Sequence, residues 1–138
     1  MTLYQSFRKY LKKNTIPEEQ GSVEGSSILF KQNNLYYVFL YDNDTPNYFR
    51  LLLPKIAGYD HMDEAELNKM ALEASAEYKV AKLVVIDNQI WASFEQIILD
   101  PDAENSEIYN MGIRILNACY IRISAFVKTH KQDVQTER

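Results

Sequence analysis

LYYVFLYDNDTPNYFRLLLP, residues 35–54, decides the fold because it contains two strongly apolar runs joined by a short polar stretch. The first run splits into two alternating sets: Leu35, Tyr37, Phe39 and Tyr41 in one, and Tyr36, Val38 and Leu40 in the other. This period of two is typical of a β-strand. Because both sets are apolar, we expect the strand to be central, with neither face left fully to water. Residues 42–47 predict the turn into a second strand.

The polar stretch also offers a metal site as an alternative to a turn. Asp42 and Asp44 have the spacing of the first two ligands of a calcium loop. The sixth position of that loop is then Asn47, where glycine is required, and the twelfth is Leu53, where a bidentate glutamate is required. We therefore predict an ordinary turn and no metal ion.

The elements around this hairpin predict one domain over residues 1–138. Their order is a helix at about 3–13, a flexible connector at about 14–27, three strands, a helix at 63–79, a two-strand hairpin across Asp87 and Asn88, a long helix at about 102–129, and a polar tail at about 131–138. The short hairpin connections favour antiparallel pairing. The predicted fold is α+β, in the order α-β-β-β-α-β-β-α, with a five-stranded antiparallel sheet packed against helices.

The long C-terminal helix has a wide apolar surface. Its main stripe is Ile108, Met111, Gly112, Ile115, Cys119, Ile123 and Phe126, and the residues that widen it are Tyr109, Ile113, Leu116, Tyr120 and Val127. The apolar arc covers about half the helix, more than the roughly 100° that packing on one sheet requires. We expect a second subunit or the first helix to cover the rest.

Composition and charge restrict the class of protein. The net charge is −4, and the first thirteen residues carry four cations, which leaves a mildly acidic body and argues against nucleic-acid binding. We expect no membrane span and no signal peptide, because no apolar run is long enough. Cys119 is the single cysteine, which fits a reducing compartment. The expected location is the cytoplasm.

The residues with catalytic potential do not form a recognisable site. His61, Asp63 and Glu64 are adjacent at a helix start, where carboxylates more often cap the helix than bind zinc. Cys119 lies in the apolar stripe, and His130 is about 16 Å further along the same helix. Cys119 is therefore interpreted as a buried structural residue.

Lys82 and Glu95 suggest an acid–base pair or, more simply, a surface pair across two strands. We predict no catalytic residue, no cofactor and no enzymatic activity.

Aromatic residues are abundant in the predicted strands, with ten Tyr, six Phe and one Trp in the chain. Most must be core, but Tyr and Trp also suit a protein-binding or dimer surface. The candidate interface residues are Tyr41, Tyr48, Arg50, Trp91, Ile113 and Tyr120.

The order and lengths of the elements, with LYYVFLYDNDTPNYFRLLLP and KLVVIDNQIWASFEQIIL as the two hairpin blocks, resemble the type III secretion chaperone-like fold, including the YbjN-like proteins. The resemblance extends from about residue 3 to 129 and rests on no invariant motif. It implies a homodimer that holds an extended segment of an unidentified client protein without catalysis. Apolar grooves and free strand edges would accept such a segment.

Two hypotheses of function follow. The first is a non-enzymatic chaperone-like or adaptor protein that binds a segment of a partner protein. The alternative is a small-ligand sensor or an enzyme, with a pocket between the sheet and the long helix near Trp91.

Overall fold

The computed structural model describes residues 1–58, 63–78 and 81–136. In chain order the elements are α1 (Leu3–Lys13), β1 (Ser27–Gln32), β2 (Leu35–Tyr41), β3 (Tyr48–Gly58), α2 (Glu64–Glu77), β4 (Ala81–Ile86), β5 (Gln89–Ile97) and α3 (Ser106–Thr136). The five strands form one antiparallel sheet in the order β1-β2-β3-β5-β4. The predicted α+β class and element order are confirmed.

Local sequence signals account for the first helix and the turns. The hydroxyl of Thr2 accepts the N–H of Gln5, whose side chain accepts the N–H of Thr2, so α1 begins with a complete capping box. Asn33 and Asn34 both have positive φ, as a two-residue hairpin turn requires. The turn after β2 is an Asx turn, in which the N–H of Asp44 donates to the Asp42 carboxylate at 2.9 Å. The prediction of a turn at residues 42–47 is confirmed.

The strand that was predicted to be central, β2, lies next to the edge strand β1, and β3 is the middle strand of the sheet. In β2, Tyr37 and Phe39 are fully buried, whereas Tyr36 on the opposite face is 51% exposed. The helices contribute their buried side chains to the same layer as Phe39 and Tyr37. Val38 and Leu40 on that opposite face are partly buried, so neither face of this strand is left fully to water, as predicted. One face of the sheet packs against the helices, and the side chains of the other face are partly exposed.

The core lies between the sheet and the helices, with aromatic rings at its centre. Phe7 of α1 stacks on Phe39 of β2 with the ring centroids 4.2 Å apart. Tyr109 of α3 contacts Phe7 edge-on at 5.1 Å and Phe49 at 5.4 Å. Further along α3, Gly112 brings the helix against β3 and β5, because a Cβ there would lie 2.8 Å from a ring carbon of Phe94. The interior of the domain is closely packed at this point.

Helix α3 begins at Ser106 rather than near residue 102, because Asp100 starts a turn by accepting the N–H of Asp102. Its buried stripe is Tyr109, Gly112, Ile113, Leu116, Cys119, Ile123 and Val127. Met111, placed in the main stripe by the sequence pattern, is 45% exposed.

Part of the surplus apolar surface of α3 is covered within the chain. The hydroxyl of Tyr109 donates to that of Ser6 in α1 at 2.9 Å. At the other end, Tyr78 donates to the backbone of Ala118, and Arg122 forms a two-bond pair with Glu77 of α2. The two other helices thus cover part of the wide apolar arc, while Met111 and Ile121 of α3 remain 45% and 59% exposed.

The segment between α1 and β1, predicted to be flexible, is bonded to its neighbours. Arg8 of α1 pairs through two hydrogen bonds with Glu18 and through two more with Glu24. These carboxylates raise the pKa of the Arg8 guanidinium, which therefore stays charged. The same side chain lies 4.9 Å from the ring centroid of Tyr4. Arg8 fixes the connector against the start of the sheet.

Candidate functional site

The face of the sheet opposite the helices is lined by partly or well exposed side chains in the described part of the chain. We call it the open face. Strand register places on it Leu29, Lys31, Tyr36, Val38, Leu40, Tyr48, Arg50, Leu52, Lys82, Val84, Trp91, Ser93 and Glu95. Each of these side chains alternates with a neighbour that points into the core. The open face follows from the same alternation that builds the core.

The centre of the open face is apolar. Leu29, Val38 and Leu52 lie side by side on β1, β2 and β3, and all three are partly exposed. Towards the β4 edge, Trp91 is paired with Val84, which is 47% exposed. Because Leu52 is paired with Ser93 on β5, the apolar side chains form two groups on the same face: Leu29, Val38 and Leu52 in one, and Trp91 and Val84 in the other. Clustered exposed apolar side chains are typical of an interaction site.

The open face has a net positive charge, whereas the rest of the molecule has a net negative charge. Arg50 and Glu95 are cross-strand partners, with Nε of Arg50 3.2 Å from a carboxylate oxygen of Glu95. The nitrogen Nη2 of Arg50 also donates to the hydroxyl of Tyr48, and that hydrogen bond raises the pKa of the guanidinium. With Lys31 and Lys82, the face carries three cations and one carboxylate, a net charge of +2. The whole chain is −4, so the remaining residues carry −6.

At the midpoint of each edge strand, the outward-facing backbone groups already form hydrogen bonds within the chain. On β1, the N–H of Leu29 donates to the hydroxyl of Ser22, and its carbonyl accepts the N–H of Glu19. On β4, the hydroxyl of Ser75 in α2 accepts the N–H of Leu83 at 2.9 Å and lies 3.4 Å from its carbonyl. These contacts occupy the outward-facing backbone groups of Leu29 and Leu83, at which an added strand would otherwise pair. At these two positions the edges are not free to accept a client segment.

The six predicted interface residues fall into two groups. Tyr48, Arg50 and Trp91 lie on the open face, with Tyr48 beside Arg50 and Trp91 towards the other end of β5. Tyr41 and Ile113 are buried in the core, and Tyr120 on α3 is partly buried against it. Val38 and Leu52 were not among the predicted interface residues, because both alternating sets of residues 35–41 are apolar and the pattern does not mark either set as exposed.

The residues considered for chemistry have structural roles where the structure describes them. The carboxylate of Asp63 caps α2 by accepting the N–H of Glu66 at 2.8 Å, and Glu95 pairs with Arg50 instead of Lys82. Burial raises the pKa of the Cys119 thiol to about 11, well above the range of a reactive cysteine. His61 lies outside the described residues. Within residues 1–58, 63–78 and 81–136, no group of His, Cys, Asp and Glu side chains could hold a metal ion.

Trp91, near which a ligand pocket was proposed, lies on the open face, whereas α3 packs on the other face with Gly112 close to Phe94. A cleft of about 390 Å³ lies between α1 and the start of α3. It is lined by both cations and carboxylates, with Lys13 3.8 Å from Glu104. These mixed charges do not converge on a single ligand position.

Comparisons with protein-family models, curated proteins and solved structures find no match. Among the described helices, none has the length and apolar character needed to cross a membrane. The geometry thus defines an α+β domain with one apolar, mildly basic sheet face as its candidate functional surface.

Proposed function

We propose that the protein is a non-enzymatic, chaperone-like or adaptor protein that binds a segment of a partner protein on the open face of its sheet. The observation that carries this function is the uncovered apolar surface around Val38, Leu52 and Trp91. Burial of such a surface by a partner stabilises a complex, and the partly exposed aromatic rings beside it are suited to act as anchors. The single buried cysteine fits a cytoplasmic location.

The charge of the open face restricts the partner. The open face has a net charge of +2, whereas the remaining residues have a net charge of −6. This difference favours a partner segment that is apolar and also carries carboxylates. A second copy docked through the same face would bring like charges together, so the proposed occupant is a different polypeptide. The resemblance to secretion chaperones gives a precedent for such a role, and the homodimer that it implies stays a prediction.

The test places a photo-cross-linking amino acid at Ser93, on the open face, and at Lys69, an exposed position on α2, and applies each protein to native lysate. We expect one or a few partner polypeptides to be cross-linked from position 93 and not from position 69. The substitution Leu52→Glu should abolish that product, whereas Leu72→Glu on exposed α2 should leave it unchanged. Tyr36→Glu, at a half-exposed position, provides a second test should Leu52→Glu lower the melting temperature.

Equal cross-linking from positions 93 and 69, or a product that survives both open-face substitutions, would contradict the proposed function. Cross-linking from position 93 only to a second copy of the chain would also contradict it.

A further inference from the structure

We infer that the partner segment on the open face is an amphipathic α-helix of about 13 residues, with acidic side chains near both ends of its apolar stripe. This inference rests on the proposed function, since it names the conformation and charge of the segment that binds there.

The conformation follows from the backbone hydrogen bonds of the sheet. Outside an irregularity in β3 between Leu53 and Ala57, most N–H and C=O groups of β2, β3 and β5 are paired with neighbouring strands. At the edges, Ser22 and Ser75 already bond the backbones of Leu29 and Leu83. An extended segment pressed on the open face would therefore bury its own backbone groups without partners, at a large cost. A helix satisfies those groups internally and presents only side chains to the sheet.

The length follows from the width of the sheet. From β1 to β4 there are four strand spacings of about 4.8 Å, or about 19 Å. At about 1.5 Å per residue, a helix that crosses this width needs about 13 residues. Its path passes the apolar side chains around Val38, Leu52 and Trp91.

The charge pattern follows from the positions of the two lysines. Lys31 is on β1 and Lys82 is on β4, at the two ends of this path. The ammonium group of Lys31 lies 5.3 Å from the ring centroid of Tyr36, and Lys82 is exposed. Between them, Arg50 and Glu95 form a pair with each other. The uncompensated charge therefore lies at the ends of the path, where carboxylates of a bound helix would meet it.

The experiment selects binders from a display library of random 14-residue peptides on the intact protein. The recovered peptides are then synthesised, and their affinity is measured from the emission of Trp91, the single tryptophan of the chain, which lies on the open face. We expect apolar residues at i, i+3, i+4 and i+7, with Asp or Glu near both ends. The double substitution Lys31→Glu/Lys82→Glu should weaken binding at least tenfold. The matched double substitution Lys12→Glu/Lys128→Glu, at exposed positions on α1 and α3, should change it less than twofold.

Three results would overturn the inference: recovered peptides with period-two alternation, equal binding of a version interrupted by proline, or equal binding of the Lys31→Glu/Lys82→Glu protein. Should the cross-link from position 93 succeed while no acidic helix binds, the inference fails and the proposed function stands. Should both experiments fail, both are refuted.

Discussion

The hydroxyl of Ser75 in α2 bonds the backbone of Leu83 in the edge strand β4, accepting its N–H at 2.9 Å and approaching its carbonyl at 3.4 Å. One side chain thus occupies both outward-facing backbone groups of the residue. Exposed edge strands are templates for pairing with other chains, so this contact both fixes α2 and protects the edge.

Substitution of Ser75 by alanine should therefore have two effects. Loss of the hydrogen bonds should lower the free energy of unfolding by about 1 kcal/mol. The exposed edge should also increase self-association, measured by sedimentation velocity. Ser22→Ala, which frees the N–H of Leu29 on the other edge, is the matched variant and should behave similarly. An unchanged stability together with an unchanged sedimentation profile for both variants would show that the serines do not protect the edges.

Gly112→Ala should destabilise the domain although alanine favours helices. The new Cβ would lie 2.8 Å from a ring carbon of Phe94 and 2.9 Å from a methyl carbon of Leu51. Both side chains are fully buried and cannot turn into solvent. Overpacking costs roughly 1–3 kcal/mol, which exceeds the gain of about 1 kcal/mol in helix propensity over most of that range.

Chemical denaturation measures the effect of Gly112→Ala, and we expect a net loss of about 1 kcal/mol in the free energy of unfolding. Arg114→Ala, an exposed position on the same helix, serves as the control and should change it by less than about 0.5 kcal/mol. A stabilised Gly112→Ala protein would mean that α3 can move away from the sheet at little cost.

The fold could be predicted from sequence where local signals determine structure. The capping box at Thr2 and Gln5 and the turn residues Asn33 and Asn34 depend only on near neighbours, and they appear as predicted. The order of the strands in the sheet and the covered face of β2 depend on contacts distant in sequence. Alternation in residues 35–41 shows that both faces are apolar, but it does not show which one the helices cover.

The same limit applies to the candidate site. Tyr48, Arg50 and Trp91 were found because aromatic and arginine side chains are typical of interfaces. Val38 and Leu52 could not be separated from core residues, because an aliphatic side chain gives no signal of the face it occupies. The closure of the edges by Ser22 and Ser75 was not predictable, since each bond joins segments that the sequence pattern does not connect.

Tyr37→Phe should stabilise the protein. The hydroxyl of Tyr37 is buried and has no hydrogen-bond partner among the described residues, which costs about 1–3 kcal/mol. Its removal should raise the free energy of unfolding by about 1 kcal/mol in thermal or chemical denaturation. Tyr109→Phe is the matched variant and should lower it by a similar amount, because the hydroxyl of Tyr109 donates to that of buried Ser6. Equal effects of the two substitutions would contradict this account.

Tyr37→Phe should also change how the free energy of unfolding depends on pH above pH 10. Burial raises the pKa of Tyr37 to about 12, whereas an unfolded tyrosine titrates near 10. The folded state therefore favours the neutral phenol, and this contribution is complete below pH 10 and is lost as the pH rises from 10 to 12. Stability measured against pH should fall less steeply in this range for Tyr37→Phe. Burial also raises the pKa of Tyr10, Tyr78 and Tyr109, so the decline should be reduced and not abolished.

The thiol of Cys119 should report when α3 separates from the sheet. Its side chain is fully buried, and burial raises its pKa to about 11, so little thiolate is present at pH 8. We expect an aromatic disulfide reagent to react at least about a hundredfold more slowly with the native protein than with the chain in guanidinium chloride. A cysteine introduced at exposed Ala125 should react rapidly in the native state.

The rate at Cys119 also tests the packing at Gly112. If the thiol reacts only from an opened state, Gly112→Ala should accelerate the reaction by the factor that its loss of stability predicts, about tenfold for 1.4 kcal/mol. Arg114→Ala should leave the rate unchanged. Rapid reaction of the native wild-type protein would contradict the burial of Cys119. An acceleration by Arg114→Ala equal to that by Gly112→Ala would show that opening does not depend on the close contact between α3 and Phe94.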